Sequence, residues 1–105
     1  WNAMWRDGEI AIFDFDDCAI GYPVQDLATT LYYLDTAEQD AALRRGYERI
    51  AELPECSKEL LELLLLQRRL VLNNYLRTSS KPEHRAMFEK YTTATIERLR
   101  RYFQR

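Results

Sequence analysis

The chain has 105 residues, which is the size of one small domain or of part of one. Its 15 basic and 17 acidic residues give a formal net charge of −2, and 47% of its residues are hydrophobic. This balance argues against a dedicated nucleic-acid-binding protein, which usually carries an excess of Lys and Arg. The sequence also lacks a run of about 18 apolar residues, so it predicts no membrane-spanning helix.

The first predicted element is a β-hairpin. Two short apolar runs, residues 3–5 and residues 10–13, lie on either side of Asp7 and Gly8. The Asp-Gly pair is among the strongest short hairpin signals, because glycine adopts a positive φ at little cost. The sequence therefore predicts that the chain folds back on itself within its first 14 residues.

The length of the hairpin loop decides which residues share a face. We favour a three-residue loop of residues 6–8 with Gly8 left-handed, which places Asn2 and Asp14 on one face. A two-residue loop would place them on opposite faces, unless one of them has already left the ladder. In either register the hairpin brings these two residues near each other, because paired strands lie about 5 Å apart.

An acidic loop and four helices follow the hairpin. The predicted ranges are 15–23 for the loop and 24–34, 37–53, 58–77 and 83–103 for the helices. Thr36 and Gln39 form a capping-box pattern at the start of the second helix, and Ser57 is a good N-cap for the third. The third helix is apolar almost all round in its first half, which is typical of a helix at the centre of a bundle. The predicted fold class is mostly α with a short N-terminal β-hairpin.

Asn2 and Asp14 are the candidate site residues with the clearest chemistry. Magnesium prefers hard oxygen ligands and usually takes only one or two of them from the protein. In protein kinases these ligands are the Asn that closes the catalytic loop and the Asp of the D-F-G sequence, and a strand hairpin lies between them. The same residue types lie at the two ends of the hairpin in this sequence.

Two stretches of the sequence resemble a known family. Residues 2–17 read NAMWRDGEIAIFDFDD and residues 21–28 read GYPVQDLA. They are similar to the aminoglycoside phosphotransferase and choline kinase family, in which an H-G-D-x-x-x-x-N loop leads into a hairpin, then an I-D-F-D-D-like strand end and a Y-D-L-A-like helix start. The V-Q-D-L wording resembles the bacterial stress-response kinase and homoserine-kinase-like branches. The match covers about the first third of the chain.

This resemblance implies a role for each acidic residue of the N-terminal region. Asn2 and Asp14 would bind the Mg²⁺ that accompanies ATP, with Asp16 and Asp17 close behind them. Asp26 would hold the catalytic loop in place through its backbone amides. The catalytic Asp of the family precedes the Asn by five residues, and we expect it upstream of Trp1 in a longer parent protein. The 105-residue chain alone is therefore expected to be inactive.

The resemblance also implies a domain organisation and a reaction. The chain would be the C-terminal part of a protein-kinase-like fold, with a hairpin bearing the metal ligands at residues 1–14, an acidic loop at 15–23 and a helical bundle at 24–105. The expected partners are ATP, the missing N-terminal lobe and a small hydroxyl acceptor, such as an aminoglycoside, a choline-like amine or homoserine; a protein Ser or Thr stays open. Two cysteines are too few for a disulfide scaffold, and the expected location is the cytoplasm.

Two other functions stay open at this point. A helical module that binds proteins would use apolar surface, and such surface would also allow a kinase fragment to self-associate. A nucleic-acid-binding surface would use the last helix, which Arg98, Arg100, Arg101 and Arg105 make basic towards its C-terminal end. We expect no nucleic-acid binding, because exposed cations are common at helix C-termini. We expect no membrane association, because the sequence has no run of about 18 apolar residues. Arg68 and Arg69 are interpreted as surface residues.

Overall fold

The computed structural model describes residues 2–105 and contains a two-stranded sheet followed by four helices. The strands are β1 (Ala3–Arg6) and β2 (Glu9–Ile12), and the helices are α1 (Pro23–Leu31), α2 (Ala37–Glu48), α3 (Lys58–Thr78) and α4 (Pro82–Phe103). The predicted class, mostly α with an N-terminal hairpin, is confirmed. Within residues 2–105, none of the helices has both the length and the apolar character that a membrane crossing requires.

The hairpin turn is shorter than the sequence analysis favoured. β1 and β2 pair antiparallel, with Ala3 opposite Ile12 and Arg6 opposite Glu9, so the loop contains only Asp7 and Gly8. Both loop residues have positive φ angles, 51° and 82°, which is the arrangement of a type I′ turn. The favoured three-residue loop is therefore wrong. The physical reason is that Asp, like Asn, tolerates a left-handed backbone better than most residues, so that it shares the turn with glycine.

The helix starts follow the capping signals in the sequence. The Thr36 hydroxyl accepts a hydrogen bond from the Gln39 amide at 3.2 Å, and the Gln39 side-chain oxygen accepts one from the Thr36 amide at 3.2 Å. The Ser57 hydroxyl accepts a hydrogen bond from the Leu60 amide at 3.1 Å. Both predicted caps are thus confirmed, and each satisfies an amide that the first helical turn leaves unpaired.

The end of α2 was predicted less well than its start. The sequence analysis placed it near residue 53, but the helix ends at Glu48. The amides of Ile50 and Ala51 both donate to the carbonyl oxygen of Tyr47, so the last turn tightens and the chain leaves the helix.

Helix α3 is the central helix of the bundle, because both α1 and α4 pack against it. The buried apolar side chains are few: Leu27, Ala28 and Leu31 of α1, and Leu76 of α3. Other leucines of α3 are substantially exposed, with Leu63 at 48%. The predicted central position of α3 is correct. Only α1 and α4 pack against it, so part of its apolar surface stays exposed.

The hairpin lies apart from this small core. Every residue of β1 and β2 is exposed, including the side chains of Trp5 and Ile12. The exposed residues continue through the acidic loop to the beginning of α1. The candidate site residues Asn2, Asp14, Asp16, Asp17 and Asp26 are therefore all exposed to solvent.

Candidate functional site

The open end of the hairpin brings the two predicted metal ligands together along the backbone. The amide of Phe13 donates a hydrogen bond to the carbonyl oxygen of Asn2 at 3.0 Å, which extends the ladder by one step beyond the strands. Asn2 is thus directly opposite Phe13, and Asp14 is the next residue along. The sequence analysis expected the backbones of Asn2 and Asp14 to lie near each other because of the turn. The register, with Ala3 opposite Ile12, places them one residue out of alignment.

The backbone of Asp14 does not continue the strand. Its φ angle is 70°, a left-handed conformation that is uncommon for a residue other than glycine. The alternation of side chains between the two faces of the sheet therefore stops before Asp14. For this reason the two-residue loop does not force Asn2 and Asp14 onto opposite faces.

The carboxyl group of Asp14 lies against that of Asp16. The hydrogen bond between the two side chains raises the pKa of Asp14, and desolvation and the negative charge of Asp17 raise it further. The same hydrogen bond lowers the pKa of Asp16, with help from backbone amides.

The side chains of Asn2 and Asp14 at this end of the hairpin carry oxygen atoms of the kind that magnesium prefers. In residues 2–105, no three or more His, Cys, Asp or Glu side chains are arranged to hold a metal ion. Magnesium on a nucleotide needs fewer, since phosphate oxygens and water complete its octahedron. An Asn amide oxygen and an Asp carboxylate are hard ligands of the required kind.

Asp26 lies away from this end of the hairpin in sequence, in the first turn of α1. Its carbonyl oxygen accepts a hydrogen bond from the Thr30 hydroxyl at 3.2 Å, as in a regular helix with a threonine one turn later. The residue is exposed, and its carboxylate makes no hydrogen bond or ion pair with the rest of the described chain. A negative charge in this position is favoured by the helix dipole.

A buried polar cluster in the helical bundle was missed by the sequence analysis. Arg69 is only 9% exposed, so its interpretation as a surface residue is wrong. Its Nε donates to the Thr95 hydroxyl at 2.9 Å, its Nη1 donates to the Tyr32 hydroxyl at 3.4 Å, and its guanidinium lies over the ring of Tyr91. The cluster joins α3 to α4 and to Tyr32, the residue that follows α1.

The burial of Arg69 has a signal in the sequence. Arg69 follows Leu65 by four residues and precedes Leu76 by seven, which places it on the same face of α3 as these leucines. A charged residue on an apolar face indicates a polar partner on the neighbouring helix. The hydroxyl groups that serve as partners come from two other segments of the chain, so the helical pattern could not identify them.

Comparison with known proteins identifies a family for the N-terminal part of the chain. A family model described as the phosphotransferase enzyme family matches residues 1–61, from the hairpin to the first turn of α3. No curated protein and no solved structure matches the chain. Most of α3 and all of α4 lie outside the matched residues.

Proposed function

The chain belongs to the phosphotransferase enzyme family, and we propose that it forms the C-terminal, magnesium-binding part of an ATP-dependent kinase. The enzyme would transfer the γ-phosphate of ATP to a hydroxyl group of a small molecule. The acceptor classes are those of the aminoglycoside, choline-like and homoserine-like relatives, and the last of these would fit the homoserine-kinase-like or stress-response branches. A cytoplasmic location fits the need for ATP and the two free cysteines, Cys18 and Cys56.

The observation that carries this proposal is the arrangement of Asn2 and Asp14 at the open end of the hairpin. The Phe13 amide is hydrogen-bonded to Asn2, and the next residue, Asp14, departs from the strand with a positive φ. One short element thus carries an amide oxygen and a carboxylate close together along the backbone. The family match includes both residues, because it begins before Asn2 and extends past Asp14.

Each residue of the site has a separate role in the proposed reaction. Asn2 and Asp14 hold the magnesium ion, which when bound neutralises the charge on the phosphate groups of ATP. Asp16 orients the Asp14 carboxyl group through their hydrogen bond. Asp17 adds negative charge close behind the metal ligands. Asp26, exposed at the start of α1, holds the loop that carries the catalytic base.

The proposal is tested by ADP release from the parent protein, with an aminoglycoside, choline and homoserine offered in turn as acceptors. Changing Asp14 to Asn removes a charged metal ligand and should lower kcat at least about a hundredfold, since metal coordination contributes several kcal/mol to phosphoryl transfer. The matched control is Asp35→Asn, which changes an exposed aspartate between α1 and α2 and should retain activity.

Full activity of the Asp14→Asn variant would contradict the proposal, because the reaction would then not need this carboxylate.

A protein-interaction module is the second candidate function, and the exposed hairpin favours it. Met4, Trp5, Ile10 and Ile12 are each at least 60% exposed, and apolar surface of this kind promotes association with other proteins. A kinase fragment would expose the same surface, so association alone does not separate the two functions. An Asp five residues before Asn2 in the parent sequence would favour the kinase, and another residue there would favour the module.

A further inference from the structure

A cleft lies between the N-terminal half of α3 and the C-terminal end of α4. It has a volume of about 330 Å³, which lies within the range of pockets that bind small molecules. Leu65 and Leu66 of α3 and the ring of Tyr102 on α4 provide an apolar surface. All of its lining residues come after position 61, so the cleft lies outside the part of the chain that matches the family model.

Three arginines at the C-terminal end of the chain line the same cleft. Arg98 and Arg101 are three residues apart, which places them on one face of α4, and Arg105 follows shortly after the helix ends. Arg100 is not among the lining residues, although it belongs to the same turn. The cations at the C-terminal end of the chain therefore do not all face the same way, because Arg98, Arg101 and Arg105 line a concave surface and Arg100 does not.

Only one of these three cations is neutralised within the cleft. Arg105 forms an ion pair with Glu62 of α3, and its guanidinium lies 5.2 Å from the ring centroid of Tyr102. Arg98 and Arg101 make no ion pair with any residue of the described chain. Like charges three or four residues apart destabilise a helix, so an anion bound between these two side chains would relieve the repulsion.

We propose that this cleft binds a small organic anion, one that joins a phosphate or carboxylate group to an apolar portion. Arg98 and Arg101 bind the anionic group, because guanidinium groups match the geometry of its oxygens. Leu65, Leu66 and Tyr102 contact the apolar portion. The site goes beyond the proposed kinase reaction, and its positive charge disfavours a cationic aminoglycoside or a choline-like amine.

Calorimetric titration of the 105-residue chain with phenyl phosphate tests the site. Phenyl phosphate should bind saturably, and inorganic phosphate, which lacks the ring, should bind more weakly. Benzylamine carries the ring with the opposite charge and should not bind. The double variant Arg98→Gln/Arg101→Gln should lose at least about tenfold in affinity, the effect of one charge-assisted hydrogen bond.

The matched control is Arg100→Gln, which removes one positive charge from the same helix turn outside the cleft. Its affinity for phenyl phosphate should stay within about twofold of the unchanged chain, since exposed charges outside the site are screened by salt. An equal loss in this variant would show general attraction to a basic helix and would overturn the proposal. Failure of phenyl phosphate to bind, or equal binding of inorganic phosphate, would also overturn it.

A measurement on the unchanged chain makes the result independent of how well the variants fold. Nuclear magnetic resonance spectra recorded during the phenyl phosphate titration should show amide shifts concentrated at residues 62–66 and 98–105. Shifts concentrated on the hairpin or on α2 would place the ligand elsewhere and would refute the assignment of the cleft.

Discussion

The guanidinium carbon of Arg69 lies 4.2 Å from the ring centroid of Tyr91, at the junction of α3 and α4. The Tyr91 hydroxyl is hydrogen-bonded to that of Tyr32, and Arg69 also donates to the Tyr32 hydroxyl. A buried cation is thus surrounded by hydroxyl groups and an aromatic face, with no ion pair to a carboxylate of the described chain. This polar junction lies in a bundle with few buried apolar side chains.

Changing Arg69 to Ala should lower the free energy of unfolding by about 3 kcal/mol. The change removes two hydrogen bonds from a charged donor and leaves the Thr95 and Tyr32 hydroxyls without this partner. Urea denaturation followed by circular dichroism measures the effect. Lys90→Ala is the control, since Lys90 is exposed in the middle of α4 and should change stability by less than about 0.5 kcal/mol. Equal losses in both variants would show that the junction adds nothing to stability.

Stability should fall with rising pH above the ordinary tyrosine pKa near 10, because burial and the hydrogen bond to Tyr32 raise the pKa of Tyr91. Above this pH the unfolded chain loses the phenolic proton while the folded chain retains it, so unfolding becomes more favourable. Below it, Tyr91 is protonated in both states and contributes no pH dependence.

Urea denaturation of the unchanged chain and of Tyr91→Phe over this alkaline range measures the effect. The variant should lose stability less steeply with pH, because it has no phenol at this position. The same slope in both proteins would contradict the assigned environment of Tyr91.

A side chain at Gly8 should destabilise the hairpin turn through backbone strain and not through a steric clash. A Cβ atom there would meet no atom within 4 Å, yet φ is +82°, so Gly8→Ala should cost about 1–2 kcal/mol through backbone strain alone. Gly46→Ala is the matched control, because a Cβ there is equally uncrowded in a regular helix. This second change should stabilise the chain by about 1 kcal/mol.

Thermal unfolding of the two glycine variants provides the comparison, and hydrogen exchange at the hairpin amides locates the effect of Gly8→Ala. Equal stabilisation by both changes would mean that Gly8 does not hold the left-handed turn in solution.

Features set by neighbouring residues could be predicted from the sequence. The capping box of Thr36 and Gln39, the N-cap at Ser57 and the Asp7-Gly8 turn each depend on two to four consecutive residues, and each forms where expected. The loop length was wrong because it depends on whether Asp7 adopts a positive φ, a choice that the residue type permits without requiring.

Features set by packing could not be predicted in the same way. The burial of Arg69 needs hydroxyl groups from Tyr32 and Thr95, which lie 37 and 26 residues away in the chain. The cleft requires the start of α3 to face the end of α4, and helical spacing does not reveal which two helices meet. For the candidate metal ligands Asn2 and Asp14, the sequence predicted only that the backbones lie near each other, because a short hairpin does this in either register. The register itself and the left-handed backbone of Asp14 could not be predicted.

The central claim is that Asn2 and Asp14 bind one cation, and Mn²⁺ in place of Mg²⁺ tests it most directly. Nuclear magnetic resonance spectra of the 105-residue chain with ATP and Mn²⁺ should show broadening at residues 2 and 13–17, because the paramagnetic ion would lie beside them. Asp14→Asn should abolish this broadening and Asp35→Asn should preserve it. Broadening that is centred on other acidic residues, or that is unchanged in Asp14→Asn, would contradict the account.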